Sequence, residues 1–425
     1  MNAQRTSGRL AGGTAWSAAV PDQWNGVMVS DADLTDFRSH ADFDAWCLHS
    51  GYAIVRTSRE PAAWQVDRML ANRHEVHDLF ARQYGAAATV VATGESLGGM
   101  VSRAIAERDA DLADAAVAMN GGGSGTIGLW NAKQDAAFAV RVLLAPSDGV
   151  DLVAAVAAAE DNAAGRARAT LAAALAMQPT WSNPDLARPE PDDILGQAAA
   201  MRSSLGFGLA PGIRADVERL AGGVFAGNEH VDYTELGRRL GRRRSIVDAL
   251  YERAGISVDA DLNALDGAER IATDAAAVRW AEAGVWSGHL RMPLVTLYAI
   301  GDPAAVPEEE RAYQNTVEKS TVQKGGAESM LDELYLDAAG HCRFTVGERA
   351  VAVERALQAL SGDRPPASPA LLNESATAID GEGPTWGALP ATRHASFVDY
   401  EPDDYIRPWD RWDIAAASAK ENVQC

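Results

Sequence analysis

Val90-Val91-Ala92-Thr93-Gly94-Glu95-Ser96-Leu97-Gly98-Gly99-Met100 decides the reading of this chain. A run of β-branched and small apolar residues ends in Gly-x-Ser-x-Gly. A helical pattern follows at once, with Val101, Ala104 and Ile105 apolar and Arg103, Glu107 and Arg108 between them. The pattern predicts strand, sharp turn and helix, with Ser96 on the turn. A serine held there sits in strained backbone, so Gly94 and Gly98 must be small for strand and helix to pass closely. The helix N-terminus beneath the serine turns backbone N–H groups and a positive dipole end toward the place where an oxyanion would form.

The flanking segments extend the pattern. Thr14–Pro21, Gly26–Ser30, Ala53–Thr57, Thr89–Thr93 and Ala115–Met119 read as strands. His40–His49 and Glu60–Tyr84 read as helices between them. This alternation predicts an α/β fold with a doubly wound, mostly parallel sheet. The loop Asn120–Gly125 (NGGGSG) lacks the Gly-Lys-Ser/Thr ending of a phosphate loop and instead lets backbone pass close to the serine. From about Trp130 to His289 the pattern becomes almost wholly helical, as expected for an inserted cap or lid at the C-terminal edge of the sheet. Strands resume at Leu294–Ile300 and Leu334–Leu336, and Val346–Leu360 is a closing helix. The expected domains are 1–129 and 291–360 as the two parts of the core, 130–290 as the helical cap, and 361–425 as an irregular tail. That tail would wrap the core, anchored by Trp386, Phe397, Tyr400 and Tyr405.

Composition narrows the function. The 425 residues suffice for a large core, and 47% hydrophobic with 23% charged is ordinary for a globular chain. A net charge of −21 repels phosphate backbones and anionic membranes, so neither nucleic acid nor membrane is an expected partner. A small-molecule substrate is expected, and a homo-oligomer stays open. The basic cluster Arg238, Arg239, Arg242, Arg243, Arg244 reads as a solvated helix face. Cys47, Cys342 and Cys425 match no zinc spacing or disulfide framework, which fits a reducing compartment. No signal peptide or apolar span is readable, so a cytoplasmic location is expected. No metal-ligand cluster is apparent.

A serine hydroxyl needs a base, and the base needs an orienting acid, from the C-terminal ends of other strands. On such a sheet the chain order is Ser, then Asp or Glu, then His. Of the eight histidines, His341 alone follows a late strand, directly after Gly340. Asp302 follows the preceding strand in Ile300-Gly301-Asp302-Pro303. Ser96, His341 and Asp302 are therefore the candidate nucleophile, base and acid. The Leu97 N–H is the first oxyanion donor, and the loop after Gly26–Ser30 would supply the second from Ser30 or Asp31.

These segments resemble the α/β-hydrolase superfamily, most of all bacterial serine esterases and depolymerase-type hydrolases with a helical cap. The resemblance rests on Trp24-Asn25-Gly26, Gly94-Glu95-Ser96-Leu97-Gly98-Gly99, Gly301-Asp302-Pro303 with Val306-Pro307, and Gly340-His341-Cys342-Arg343-Phe344-Thr345. It implies the same three catalytic roles and no cofactor. One departure stands out: such hydrolases commonly carry His-Gly in the oxyanion loop, where this chain has Ser30-Asp31-Ala32-Asp33. Two like charges about 5 Å apart at an effective dielectric near 20 repel by roughly 3 kcal/mol. The expected reaction is hydrolysis of an ester, lactone or related acyl bond of a small, largely apolar molecule. Asp31, Asp33, Glu95 and Trp130 are the expected substrate contacts. The alternative is a non-hydrolytic cyclisation, elimination or rearrangement of a biosynthetic intermediate that uses Asp31 or Asp33.

Overall fold

Strand alternation shows most clearly in the middle of the sheet, where Val91 faces one helical layer and Ala92 the other. A computed structural model describes residues 2–34, 40–147, 149–323, 330–362, 368–389 and 391–409. The strands are β1 (Ala3–Arg9), β2 (Ala15–Pro21), β3 (Val27–Leu34), β4 (Ala53–Ser58), β5 (Thr89–Glu95), β6 (Ala115–Met119), β7 (Leu294–Gly301), β8 (Leu331–Ala339) and β9 (Phe397–Val398). They form one nine-stranded sheet in the order β1-β2-β4-β3-β5-β6-β7-β8-β9. From β4 through β8 the pairing is parallel, while β1, β2 and β9 pair antiparallel at the edges.

Helices cover both faces. α1 (Ala41–His49) packs with two late helices on one face, burying Phe43, Trp46 and Leu48 against Val29, Val91 and Val117. α2 (Val66–Tyr84) and α3 (Leu97–Arg108) cover the other face, where Met69, Met100 and Ile105 meet Ala92 and Ala116. Small strand residues on that side let α3 approach closely. Between β6 and β7 the chain is helical: α4 (Gly125–Leu143), α5 (Leu152–Ala159), α6 (Ala163–Leu175), α7 (Ile194–Ser203), α8 (Leu205–Leu209), α9 (Pro211–Ala221), α10 (Tyr233–Arg238), α11 (Arg243–Ala254), α12 (Val258–Gly267) and α13 (Ala275–Ala281). These helices have their own core of small and branched residues, with Ala167, Leu171 and Leu175 of α6 fully buried. α14 (Glu308–Gln323), α15 (Val346–Ser361) and α16 (Pro369–Trp386) complete the set, α15 and α16 beside α1.

Sheet order, parallel core and the serine turn define the α/β-hydrolase fold. Four details differ from the sequence reading. The polar segment Ala3–Arg9 is an edge strand, stabilised by its ladder to β2 rather than by apolar alternation. α4 begins at Gly125, ahead of the expected boundary at 130. The tail is not irregular throughout, because α16 docks Leu372 and Ala376 against α15 so closely that a Cβ on Gly347 would lie 2.1 Å from the Ala376 carbonyl. Of the four aromatic residues named in the tail, Trp386 stacks on His49, Phe397 and Tyr405 are buried, and Tyr400 is half-buried. Finally, Arg243 is not solvated: it is buried, pairs with Glu308 at 2.7 Å and donates to the Gln178 and Met177 carbonyls.

Candidate active site

β5 ends at Glu95, and Ser96 turns the chain into α3 with φ 57 and ψ −119. That left-handed conformation is costly for a residue with a side chain and lifts the hydroxyl off the strand end. Gly94 makes the turn feasible, since a Cβ there would lie 2.3 Å from the Gly98 carbonyl carbon and oxygen. A second close approach sits beside it: a Cβ on Gly121 would lie 2.5 Å from Gly99, so the loop after β6 passes against the first turn of α3. The Ser96 N–H donates to the Met119 carbonyl at 2.9 Å, tying the turn to β6. Leu97 opens α3, where an N–H has no carbonyl of its own helix to bond.

Asp302 and His341 come from the ends of neighbouring strands β7 and β8. Asp302 is fully buried. Its Oδ2 lies 2.7 Å from His341 Nδ1, and its Oδ1 accepts the Ala304 and Ala305 N–H groups at 2.7 and 3.1 Å. Burial works against a charged imidazole, but the Asp302 carboxylate overrides it, so His341 is held well above its usual value. Cys342 Sγ lies 3.5 Å from His341 Nε2. Burial pushes that thiol up, which keeps it neutral and a weak nucleophile.

Ser96, His341, Asp31, Glu95 and Trp130 all line one cavity of about 800 Å³. Its floor is the strand ends, and α4, α8 and α9 form the opposite wall. Much of the surface is apolar, from Trp64, Leu97, Met100, Trp130, Phe207 and Ile213. Trp130 is buried and meets Trp64 edge-on at 5.6 Å. Asp302 stands behind His341, outside the lining.

The acidic segment behaves differently from the loop expected of it. β3 runs on through Leu34, and Ser30 and Asp31 pair with both β4 and β5. Ser30 turns away from the cavity: its hydroxyl meets His77 Nε2 at 2.6 Å and accepts from Arg73. Its main chain lies within the ladder rather than in an oxyanion loop. Asp31 does face the cavity, but its carboxylate is held by Arg56 at 3.1 Å and accepts from the Thr93 hydroxyl at 3.2 Å. Arg56 also pairs with Asp44 at 2.8 Å. Glu95 is similarly paired, to Arg349. The register on the β4 side shifts between Asp31 and Leu34, which leaves the main chain at Ala32 and Asp33 out of step with that neighbour. The Asp33 side chain lies outside the described residues.

Among the cavity residues outside the expected contacts, His40 follows no strand, Asn120 lies in the glycine-rich loop after β6, and Lys133 sits in an otherwise buried helix. Lys133 had a legible signal, being a lone lysine three residues after Trp130 on one helical face. Among the described residues no three His, Cys, Asp or Glu side chains group to hold a metal ion, and no helix is long and apolar enough to cross a membrane.

No family model matches the chain. It is 28% identical over 452 residues to the o-phthalyl amidase of Xanthobacter agilis, covering 95% of this chain and 96% of that protein. In structure it is similar to feruloyl esterase B from Aspergillus oryzae, with TM-score 0.43 and 12% identity over 85% of this chain and 80% of that one. It is also similar to a Pyrococcus furiosus esterase, with TM-score 0.40 and 8% identity over 84% and 91% of the two chains. The near full-length likeness to an amidase supports a hydrolytic enzyme of the α/β-hydrolase type.

Proposed function

We propose that this chain is a serine hydrolase that cleaves an amide or ester of an apolar, aromatic carboxylic acid. The observation that carries the reading is the Ser96 turn and the His341–Asp302 pair meeting at one cavity. Ser96 Oγ attacks the acyl carbon while His341 Nε2 takes its proton. Asp302 holds the Nδ1–H and stabilises the imidazolium. The imidazolium then protonates the departing amine or alcohol, a role suited to a histidine held high. Water, activated by the same histidine, releases the acid. The Leu97 N–H is one oxyanion donor, and the out-of-step main chain at Ala32–Asp33 is the better second donor than Ser30 or Asp31.

The helices from α4 to α13 act as the cap, closing the cavity with an apolar and aromatic surface. Length-wide likeness to an amidase favours amides beside the esters expected from sequence. The pairing of Asp31 with Arg56 weighs against its use as a free acid or base, and so against the non-hydrolytic alternative. The test is a fluorophosphonate probe together with aryl amides and aryl esters. Labelling of Ser96, and loss of labelling and turnover in Ser96→Ala, are the expected results. Full turnover in Ser96→Ala would overturn the proposal.

A further inference from the structure

Lys133 is out of place in its surroundings. It lies on α4, where all residues from Gly125 to Val140 are buried, and its own exposure is 9%. Its Nζ donates to the Phe207 carbonyl at 2.9 Å and the Ala304 carbonyl at 3.3 Å. Both acceptors are neutral, and an ammonium has three N–H groups to place. Among the described residues no carboxylate lies within ion-pairing distance of it. Burial lowers the Lys133 pKa, while the Glu309 and Asp302 carboxyls, beyond contact distance, favour its charged form. An ammonium buried without a directly paired carboxylate is expensive, and a ligand that supplies one stabilises it further.

Two further donors share the cavity wall. Trp130 Nε1 is buried with no hydrogen-bond partner among the described residues, three positions before Lys133 on the same helix. Asn120 Nδ2 is buried and unpartnered too. The Asn120 Oδ1 accepts the Ala299 N–H at 3.0 Å, which fixes the amide orientation and leaves NH2 as the orphan group. These donors share a cavity whose wall is largely apolar but also carries Arg59, Glu60, Asp216 and Arg219, the last two paired with each other at 3.3 Å. The two carboxylates on the sheet side, Asp31 and Glu95, already have arginine partners.

We infer that Lys133, with the Trp130 indole N–H beside it, binds a free carboxylate on the acyl part of the substrate, next to the bond that is cleaved. The inference deepens the proposed function and rests on the cavity being the acyl site. Lys133 lines the same cavity as Ser96 and His341, and it bonds the carbonyl of Ala304, whose N–H Asp302 accepts, so the ammonium lies on the wall formed by α4 and the Asp302 loop. Burial pushes the Glu309 carboxyl up to about 7 even against the pull of Lys133, and Asp302 is engaged by His341, so neither is a direct partner of the ammonium. The substrate class is a half-amide or half-ester of an aromatic dicarboxylic acid, its ring against Trp64 and Trp130 and its second carboxylate on Lys133.

The test separates binding from turnover. In Ser96→Ala, calorimetric titration with 2-carboxybenzamide and with benzamide should show at least tenfold tighter binding of the carboxylated compound. In Ser96→Ala/Lys133→Met the two should bind within threefold of each other, and Lys133→Arg should restore part of the preference. In the chain with Ser96 intact, the ratio of kcat/KM on 2-carboxybenzanilide and benzanilide should fall by tenfold or more in Lys133→Met, mainly through KM. A thermal melt checks that each variant is folded, and a general loss of activity cancels in the ratio. Equal binding of the two amides by Ser96→Ala, or a preference that survives Lys133→Met, overturns the inference. A preference in binding with no turnover of any acyl compound would instead remove the proposed function and leave the carboxylate site standing.

Discussion

Asp302→Asn is the sharpest perturbation of the site, because the main chain dictates how the new amide must sit. Oδ1 of Asp302 receives two N–H groups, from Ala304 and Ala305, and only an oxygen can take that place. The asparagine carbonyl therefore faces the loop, and its NH2 faces His341 Nδ1, where Oδ2 now accepts at 2.7 Å. Two donors cannot share that contact. His341 must move its proton to Nε2 so that Nδ1 can accept, and the ring can then no longer take a proton from Ser96. The fold should tolerate the change, since shape and the loop hydrogen bonds are kept. The expected loss in kcat is about 10⁴-fold, equivalent to about 5.5 kcal/mol of transition-state stabilisation. Turnover of an aryl amide and the rate of fluorophosphonate labelling both report it, with a thermal melt as the control. A folded Asp302→Asn within tenfold of the parent in both assays would refute the assignment of Asp302 as the orienting acid.

The remaining predictions concern pH, packing and the tail. His341 must be neutral to act as base, so kcat/KM should rise with pH through an inflection above 6.5, and Asp302→Asn should abolish that inflection. Because the folded value is raised, the pair stabilises the fold fully below about pH 6.5, and this contribution is lost as pH rises through the folded value; melts across that window should show the slope, and Asp302→Asn should lack it. Gly94→Ala places a Cβ 2.3 Å from the Gly98 main chain and should cost about 3 kcal/mol or prevent folding, whereas Gly206→Ala, with nothing within 4 Å, should leave the urea midpoint nearly unchanged. Arg407→Met leaves the fully buried Asp135 with the Tyr233 hydroxyl but no guanidinium, and should lower stability by about 3 kcal/mol in the same measurement.

Legibility from sequence followed the range of the interactions involved. Strand and helix periodicity is local, so β5, the serine turn and α3 could be read directly, as could the places of Asp302 and His341 at strand ends. The end of β3 could not. Aspartates are poor strand residues, and Ser30-Asp31-Ala32-Asp33 reads as a loop until Arg56 on β4 and Thr93 on β5 are seen flanking Asp31. The α16 pattern of Leu372, Ala376, Ile379 and Gly383 has helical spacing, but the glycines and Pro384 near its end obscured it. Lys133 is legible only as a lone lysine in an apolar helix; its place on the cavity wall depends on α4 packing against the loop after β7, a contact distant in sequence.

The acidic residues around Ser96 posed a physical difficulty that the pairings answer. A bare carboxylate about 5 Å from a forming oxyanion opposes it by roughly 3 kcal/mol at an effective dielectric near 20, about a hundredfold in rate. Asp31 and Glu95 each carry an arginine from the side away from the cavity, and Arg56 is shared with Asp44. A paired charge acts as a dipole, whose field falls off faster than that of a lone ion. The sheet side of the cavity is therefore nearly neutral toward the reaction, while on the helical side Asp216 and Arg219 pair with each other and Lys133 has no directly paired carboxylate among the described residues. In the proposed reaction that asymmetry orients an anionic acyl group with its charge toward α4 and away from Asp31 and Glu95, and so presents the scissile carbonyl between Ser96 and the Leu97 N–H. Exchanging the signs, as in Lys133→Glu, should therefore reverse the substrate preference as well as weaken it, favouring a benzanilide carrying a charged aminomethyl group over its carboxylated counterpart; a variant that stays folded yet still prefers the carboxylate would show that orientation is set by shape alone.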